Sequence, residues 1–481
     1  MLEGADSDRV TLKVATERVR RPVLQPGPGK DKPLRPAPAS PTLPDMARLS
    51  VPDALNTTEN PRDVPMGSTG GHAAVSRRFL LQLARALHTH GTPAHRLETA
   101  LAITARRLGL EAEFFSTPTS IMVGIGNLDD QRVSLLRVEP GEPNLGHLST
   151  LGDITRGVIE GTLSPADGLH QVEALDSQPP PYPQWLVLFA FVCSSAAVSC
   201  FLKVRVGDVL TASLLGLLTG VLAIFAGRRE STRHVTEPLA AFVVTTVAFT
   251  IDGLMGTRSG FATSLAGLVV LLPGLTFTVA LTELSTRHLA SGTARLSGAI
   301  VVFLGLGFGL ALGVQSGGVL GPLLHEAVPQ VQGLLSRATL PSWTEWVALL
   351  IAPLSFAVLL SAKRRDIGNI VVACAAAYLV SKFAGASVGE QLGAFLGAFV
   401  VSAGSNLFAR FKRRTAMVTQ VPGLLILVPG SIGLRSMQSL LGQDVEMGIA
   451  TAFRVAIIGI SLAAGLLAGN VVTSAGRRVR R

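Results

Sequence analysis

Hydrophobic and polar residues follow two different rhythms along this chain, and one stretch follows neither. From about residue 185 to residue 472, apolar stretches recur at roughly 20 residues each, the length that crosses a bilayer. They predict ten spans, at about 185–202, 207–227, 238–256, 260–284, 292–314, 343–362, 366–384, 389–409, 417–440 and 448–470. Residues 72–177 are patterned instead like a small α/β domain. Phe79, Leu80, Leu83 and Leu87 line one helical face, which Gly91 ends. Thr92-Pro93 opens a second helix, where Ala94, Leu97, Leu101, Ala105 and Leu108 repeat at 3–4 spacing. "EAEFFSTPTSIMVGIG" and "QRVSLLRV" read as strands with "NLDD" as the turn between them, and Ser164, Pro165 and Asp167 start a capped helix. Residues 1–70 show neither rhythm. They hold 11 of the 28 prolines and too little apolar surface to offset the entropy of ordering.

The expected architecture is an α-helical polytopic membrane protein with ten transmembrane helices in two inverted five-helix repeats, preceded by a small soluble α/β domain. A disordered Pro-rich tail occupies 1–71, the cytoplasmic α/β domain 72–177 and a stiff "QPPPYP" linker 178–184. The first membrane repeat is 185–314, a connecting loop 315–342, the second repeat 343–472 and a basic tail 473–481. "GGVLGPLLHEAV" at 317–328 is too short to span and reads as re-entrant or as a surface loop.

Composition agrees with this picture: 48% of residues are hydrophobic and only 15% charged. The net charge of +10 sits in short clusters between apolar segments, without the aromatic–basic interleaving that nucleic acid needs. With the α/β domain in the cytoplasm, loops on its side carry 15 Lys and Arg against 5 on the other, so both termini are expected to be cytoplasmic. No apolar core stands near the N-terminus, so no signal peptide is expected. Cys193, Cys200 and Cys374 lie inside apolar segments and read as reduced thiols.

Two spans contain the same defect. "LLPGLTFTVALTEL" breaks at Pro273-Gly274, and "LVPGSIGLRSMQSL" breaks at Pro429-Gly430, 156 residues later. That offset also carries Gly292 to Gly448, Ala294 to Ala450, Gly309 to Gly465 and Gly313 to Gly469. A duplicated unit of five spans must enter the membrane from the opposite side, and inverted repeats with matched broken helices are a signature of secondary transporters. A single PG is adequately explained as a packing kink; two in register favour a site. Each break starts a half-helix whose N-terminus favours a carboxylate. Thr276, Thr278 and Thr282 beside one break, and Ser431 and Arg435 beside the other, are the expected substrate-binding side chains.

Ionisable groups at membrane depth are costly and mark pathways. Asp252 and Glu283 are therefore the candidates for proton coupling, against the plainer reading that both reach the interface. Gly305/Gly309/Gly313 and Gly389/Gly393/Gly397 read as packing seams. "HTHGTPAHRLE" gathers His88, His90, His95, Arg96 and Glu98, but its histidine spacing does not share a helical face, so no metal is expected. No Walker A, G-x-S-x-G or Rossmann glycine pattern occurs, and no cofactor or catalytic residue is expected.

From about 75 to 472 the chain resembles the threonine/serine exporter family. The resemblance rests on "HGTPAHRLETALAITARRLGLEAEFFSTPTSIMV", the "LSPADGL" region, "LLPGLTFTVALTELSTRHLASGTARL" and the later "LVPG". It implies ten spans, a cytoplasmic N-terminal domain in the plasma membrane of a bacterium, and export of threonine and serine driven by the proton-motive force. The partners so implied are a small-molecule substrate and the lipid bilayer, with a homo-oligomer left open. Related two-part systems resemble dicarboxylate exporters, so succinate is the alternative substrate. A second alternative is a membrane-tethered enzyme acting through 72–177.

Overall fold

The apolar stripe Leu80, Leu83 and Leu87 forms helix α1 (Thr69–Thr89), and its leucines are buried as the spacing requires. A computed structural model describes residues 69–127, 129–139, 141, 143–175, 177–227, 235–327, 338–427 and 445–475. Helix α2 (Ala94–Arg107) follows, with Leu97, Leu101 and Ala105 on its inner face. Three strands come next: β1 (Ala112–Thr117), β2 (Ser120–Ile125) and β3 (Arg132–Arg137). They form an antiparallel meander in the order β1-β2-β3, with Phe115 opposite Met122 and Val123 opposite Ser134. By pattern alone β1 and β2 read as one strand. Pro118 and Thr119 instead make a hairpin turn between them, because Pro118 has no N–H to give a ladder. The Thr117 and Ser120 hydroxyls close the turn at 2.8 Å.

Helices α3 (Leu145–Glu160) and α4 (Pro165–Leu175) complete the domain. Asn144 caps α3 by accepting a hydrogen bond from the His147 N–H at 3.0 Å, and Gly161 ends it at φ 76°.

The membrane part runs α5 (Gln184–Phe201), α6 (Val206–Gly227), α7 (Thr236–Met255), α8 (Gly260–Gly267), α9 (Gly274–Ser285) and α10 (Leu289–Ala327). After these come α11 (Thr344–Leu359), α12 (Ile367–Val388), α13 (Glu390–Lys412), α14 (Met417–Leu425) and α15 (Val445–Ala475). Among the described residues seven helices are long and apolar enough to cross a membrane, or eight if the bent pair α8–α9 is one span. Outward faces are apolar: Val301, Leu304 and Phe308 are 67%, 54% and 63% exposed, a surface that suits lipid rather than water. Helix α11 has 16 residues, below the usual spanning length. The expected span at 417–440 is described as helix only to Leu425, and much of it lies outside the described residues.

The stretch 317–328 is neither re-entrant nor a loop where it is described. Helix α10 continues through it to Ala327, with Pro322 inside. At ~1.5 Å per residue its 39 residues reach ~58 Å, well beyond the ~30 Å bilayer core. Gly321 lets this extension pack directly on Gly253 of α7.

Two helix pairs pack in matched fashion. A methyl group added at Gly309 of α10 would lie 2.1 Å from the Pro238 carbonyl oxygen and 2.9 Å from Ala241 Cβ on α7. At Gly465 of α15 it would lie 2.2 Å from the Phe395 carbonyl oxygen and 3.0 Å from Ala398 Cβ on α13. One turn on, Gly313 faces Thr245 as Gly469 faces Ser402. The two glycine pairs are 156 residues apart and their partners 157.

Since the opposing atoms are backbone, they cannot yield without separating the helices. Gly309→Ala and Gly465→Ala are each expected to cost about 1–3 kcal/mol, the usual range for overpacking. Gly298→Ala on α10 meets nothing within 4 Å and should be neutral or gain up to about 1 kcal/mol of helix propensity. Thermal unfolding in detergent checks this; equal midpoints for all three would refute the tight seams.

Candidate functional site

The membrane helix that begins at Gly260 does break. Helix α8 ends at Gly267, a 3-10 turn covers Val269–Leu271, and α9 starts after Pro273 at 56° to α8. The break exposes backbone polar groups that lipid cannot satisfy. Thr219 of α6 meets part of that need, donating to the Gly267 carbonyl oxygen at 2.9 Å.

Along one face of α9 runs a cavity of about 90 Å³. Leu275, Thr276, Val279 and Thr282 line it from α9, Arg295 from α10, and Met417, Gln420, Val421 and Leu424 from α14. Leu466 and Asn470 of α15 also line it, and so do residues of the α/β domain: Gly91, Pro93, His95, Arg96, Gly141 and Pro143. A larger cleft of about 870 Å³ shares His95, Arg96, Met417 and Asn470 with it. The cleft carries Arg156, Arg410, Arg413 and Arg414 on its walls.

Glu283 is fully buried near the end of α9. Its Oε1 accepts the Ala94 N–H at 2.8 Å, so the first turn of α2 docks on it. Its Oε2 accepts from the Ser291 hydroxyl at 2.7 Å and pairs with Arg295 Nε at 3.1 Å. Helix N-termini favour anions, and a buried carboxylate is tolerable only when paired in this manner. Nearby, Glu98 accepts the Ser116 N–H and hydroxyl at 2.8 and 2.7 Å, and its other oxygen faces His288 Nε2 at 3.3 Å. Arg96 donates to the Gln420 side-chain oxygen on α14.

A second helix N-terminus docks as well. Leu145 and Gly146 of α3 donate their N–H groups to the Leu360 and Ser361 carbonyl oxygens just past α11, at 2.9 and 3.1 Å. Tyr182 donates to the Ala362 carbonyl oxygen at 2.6 Å, and Arg365 pairs with Asp153 at 3.1 Å. The core of the α/β domain is continuous with Ala357, Ile370, Cys374 and Val418 of the membrane part.

Against the residues expected from sequence, the geometry is mixed. Thr276 and Thr282 line the cavity; Pro273 and Gly274 form the break without lining it. Thr278 is fully buried and donates to the Gly274 carbonyl oxygen, so its hydroxyl does not face the cavity. Thr282 spends its hydroxyl on Thr278 O at 2.8 Å. Pro429, Gly430, Ser431 and Arg435 lie outside the described residues. Asp252 sits at the far end of α7 from this cluster. It caps the following loop, accepting from the Ser259 N–H at 2.9 Å and from the Thr257 hydroxyl. The three histidines of "HTHGTPAHRLE" diverge: His88 Nε2 reaches Thr117 O, His90 meets His147 at 3.1 Å, and His95 faces the cavity. Among the described residues no group of three or more His, Cys, Asp and Glu could hold a metal ion.

Sequence reasoning missed Arg295, weighed Arg96 only within the histidine cluster, and missed Gln420. The first two were visible as charges that no core role explains: Arg295 falls inside a drawn span, and Arg96 lies off the apolar face of α2.

Comparison with known proteins locates the chain among relatives. Residues 78–317 match the ThrE family model, described for threonine/serine exporters, and residues 345–472 match a second model, "Threonine/Serine exporter, ThrE". Curated relatives include proteins named "Pheromone-regulated membrane protein 10". That of Eremothecium gossypii is 26% identical over 75% of this chain and 48% of its own length. That of Debaryomyces hansenii is 29% identical over 75% of this chain and 36% of its own, and that of Saccharomyces cerevisiae 26% over 76% and 47%. The chain thus spans less than half the length of these relatives. No solved structure matches it.

Two outcomes follow from the docking contacts. Glu283→Ala leaves Arg295 buried without its partner and should cost about 3–5 kcal/mol, whereas Glu283→Leu with Arg295→Met should cost clearly less. Thermal unfolding in detergent separates the two; equal losses would mean the pair is not coupled. The second concerns His95. Burial first, then Arg96, His288 and Arg295, hold its imidazole down to about 3 from the usual 6.5. A depressed value means stability that is full above about pH 6.5 and is lost as pH falls toward the folded value. Amide exchange in α2 should therefore quicken between about pH 7.5 and pH 5 beyond its intrinsic pH dependence, and His95→Phe should flatten the response. An unchanged profile in the variant would remove His95 as the cause.

Proposed function

This chain belongs to the threonine/serine exporter family, and from that premise we propose that it is a secondary transporter exporting threonine and serine by proton antiport. The observation that carries the reading is the cavity at the broken helix, with Glu283 held directly behind its wall. Thr276 offers a hydroxyl, Leu275, Val279, Val421 and Leu424 offer an apolar wall for a small side chain, and Arg295 links the cavity to Glu283. A proton reaching Glu283 would neutralise it. The Arg295 pair would weaken, and with it the hydrogen bond that docks α2. Proton binding at one carboxylate would thus change both the charge at the cavity and its closure by the α/β domain, which is what antiport requires. Asp252 is proposed as a cap rather than as a second proton carrier. The matched glycine seams of α7–α10 and α13–α15 support two related halves that rock against each other.

A dicarboxylate substrate such as succinate is the second reading, favoured by Arg96 and Arg295 both lining the cavity. The tethered-enzyme reading gains no such support, because His95, Arg96 and Glu98 all face the membrane part.

Cells preloaded with a threonine-containing dipeptide test this. The expected result is rapid threonine and serine efflux from the wild type, abolished by an uncoupler and by Glu283→Gln. Succinate leaving in place of either amino acid would support the second reading. Amino-acid efflux indifferent to both treatments would overturn proton antiport.

A further inference from the structure

The proposed substrate cavity has a charge that no described residue of its lining balances. Among the described residues two cations line the cavity, Arg96 and Arg295. Arg295 is spent on Glu283. Arg96 donates to the neutral side-chain oxygen of Gln420, and no described carboxylate stands within ion-pair distance of it. The acid two residues on, Glu98, is committed to Ser116 and His288. Burial pulls the Arg96 guanidinium down to about 10, which leaves it cationic but poorly solvated. A desolvated guanidinium with one neutral partner is a strong site for a carboxylate, which it can bind through two parallel N–H groups.

Resting on the reading of this cavity as the substrate site, we propose that Arg96 of the α/β domain binds the carboxylate of the transported solute. Gln420 holds the guanidinium in place until the solute arrives. The fixed geometry of α2 supports the role. Its first turn is tied to Glu283 through Ala94, its inner face is locked in the domain core by Leu97 and Leu101, and Glu98 is tied to β1. The Arg96 side chain leaves this anchored helix and crosses to α14. Beside it the Nδ1 of His95 is buried and has no hydrogen-bond partner among the described residues. The domain outside the bilayer is then part of the binding site itself.

The test is binding to the purified full-length protein, using L-threonine against L-threoninamide and succinate against succinamide. Each amide keeps the size of its parent and loses the charge. The wild type should prefer the carboxylate form by about 10–100-fold, the range of a charge-assisted hydrogen bond. Arg96→Gln should erase that preference, and Arg96→Lys should restore part of it. Because the readout is a ratio within one protein sample, a general loss of stability does not mimic it; unfolding midpoints verify that each variant is folded. A folded Arg96→Gln protein that still prefers threonine over its amide overturns the proposal and leaves threonine as substrate. A preference seen only for succinate and lost in Arg96→Gln upholds Arg96 and overturns the threonine reading. A wild type that binds neither carboxylate overturns both.

Discussion

A carboxylate with no access to water must find its partners inside the protein, and Glu283 finds three of them on two different elements. The turn after α9 brings back Ser291 and Arg295 from α10; the α/β domain brings the N-terminus of α2. Remove the charge and the reason for each of these approaches weakens together. The break at Pro273 serves the same arrangement, since it turns α9 away from α8 and sets the face that carries Leu275, Thr276, Val279 and Thr282 against α14 and the domain. Local sequence, tertiary docking and the candidate chemistry meet at this one side chain.

The domain is attached by more than its linker. Two of its helices present N-terminal N–H groups to the membrane part, one to a carboxylate and one to the carbonyls that end α11. Each contact satisfies groups that a helix end leaves unpaired. The shared hydrophobic core then covers them, so the polar contacts sit at reduced dielectric, where they count for more.

Much of this was legible in the sequence, and the limits have physical causes. Span-length apolar runs announced the membrane helices. Pro273-Gly274 announced the broken one, because a freed backbone group in a span must face protein or water. Glu283 stood out as an acid at depth. What sequence could not supply was contact across long separations. Ala94 and Glu283 are 189 residues apart, and Arg96 and Gln420 are 324 apart. Periodicity identifies which face of α2 is buried in its own domain, but nothing in it says that Arg96, off that face, reaches α14. The β1–β2 hairpin was missed although its signal was present: Ser116, Thr117, Pro118, Thr119 and Ser120 interrupt the apolar residues on either side with a cluster that favours a turn. Arg295 was passed over as a charge within a drawn span, although it stands 12 residues after an acid across a tight turn.

The position of α3 has one further consequence. The two family matches fall on either side of the connector between α10 and α11, as if the protein were made of two pieces joined end to end. Yet the domain at the start of the first piece reaches past its own half to seat α3 on α11 and Arg96 on α14. It works as a clasp. Were the backbone cut within the connector, the two polypeptides would still be held by backbone hydrogen bonds and a common core, and a bipartite version of the protein would need no new interface to assemble.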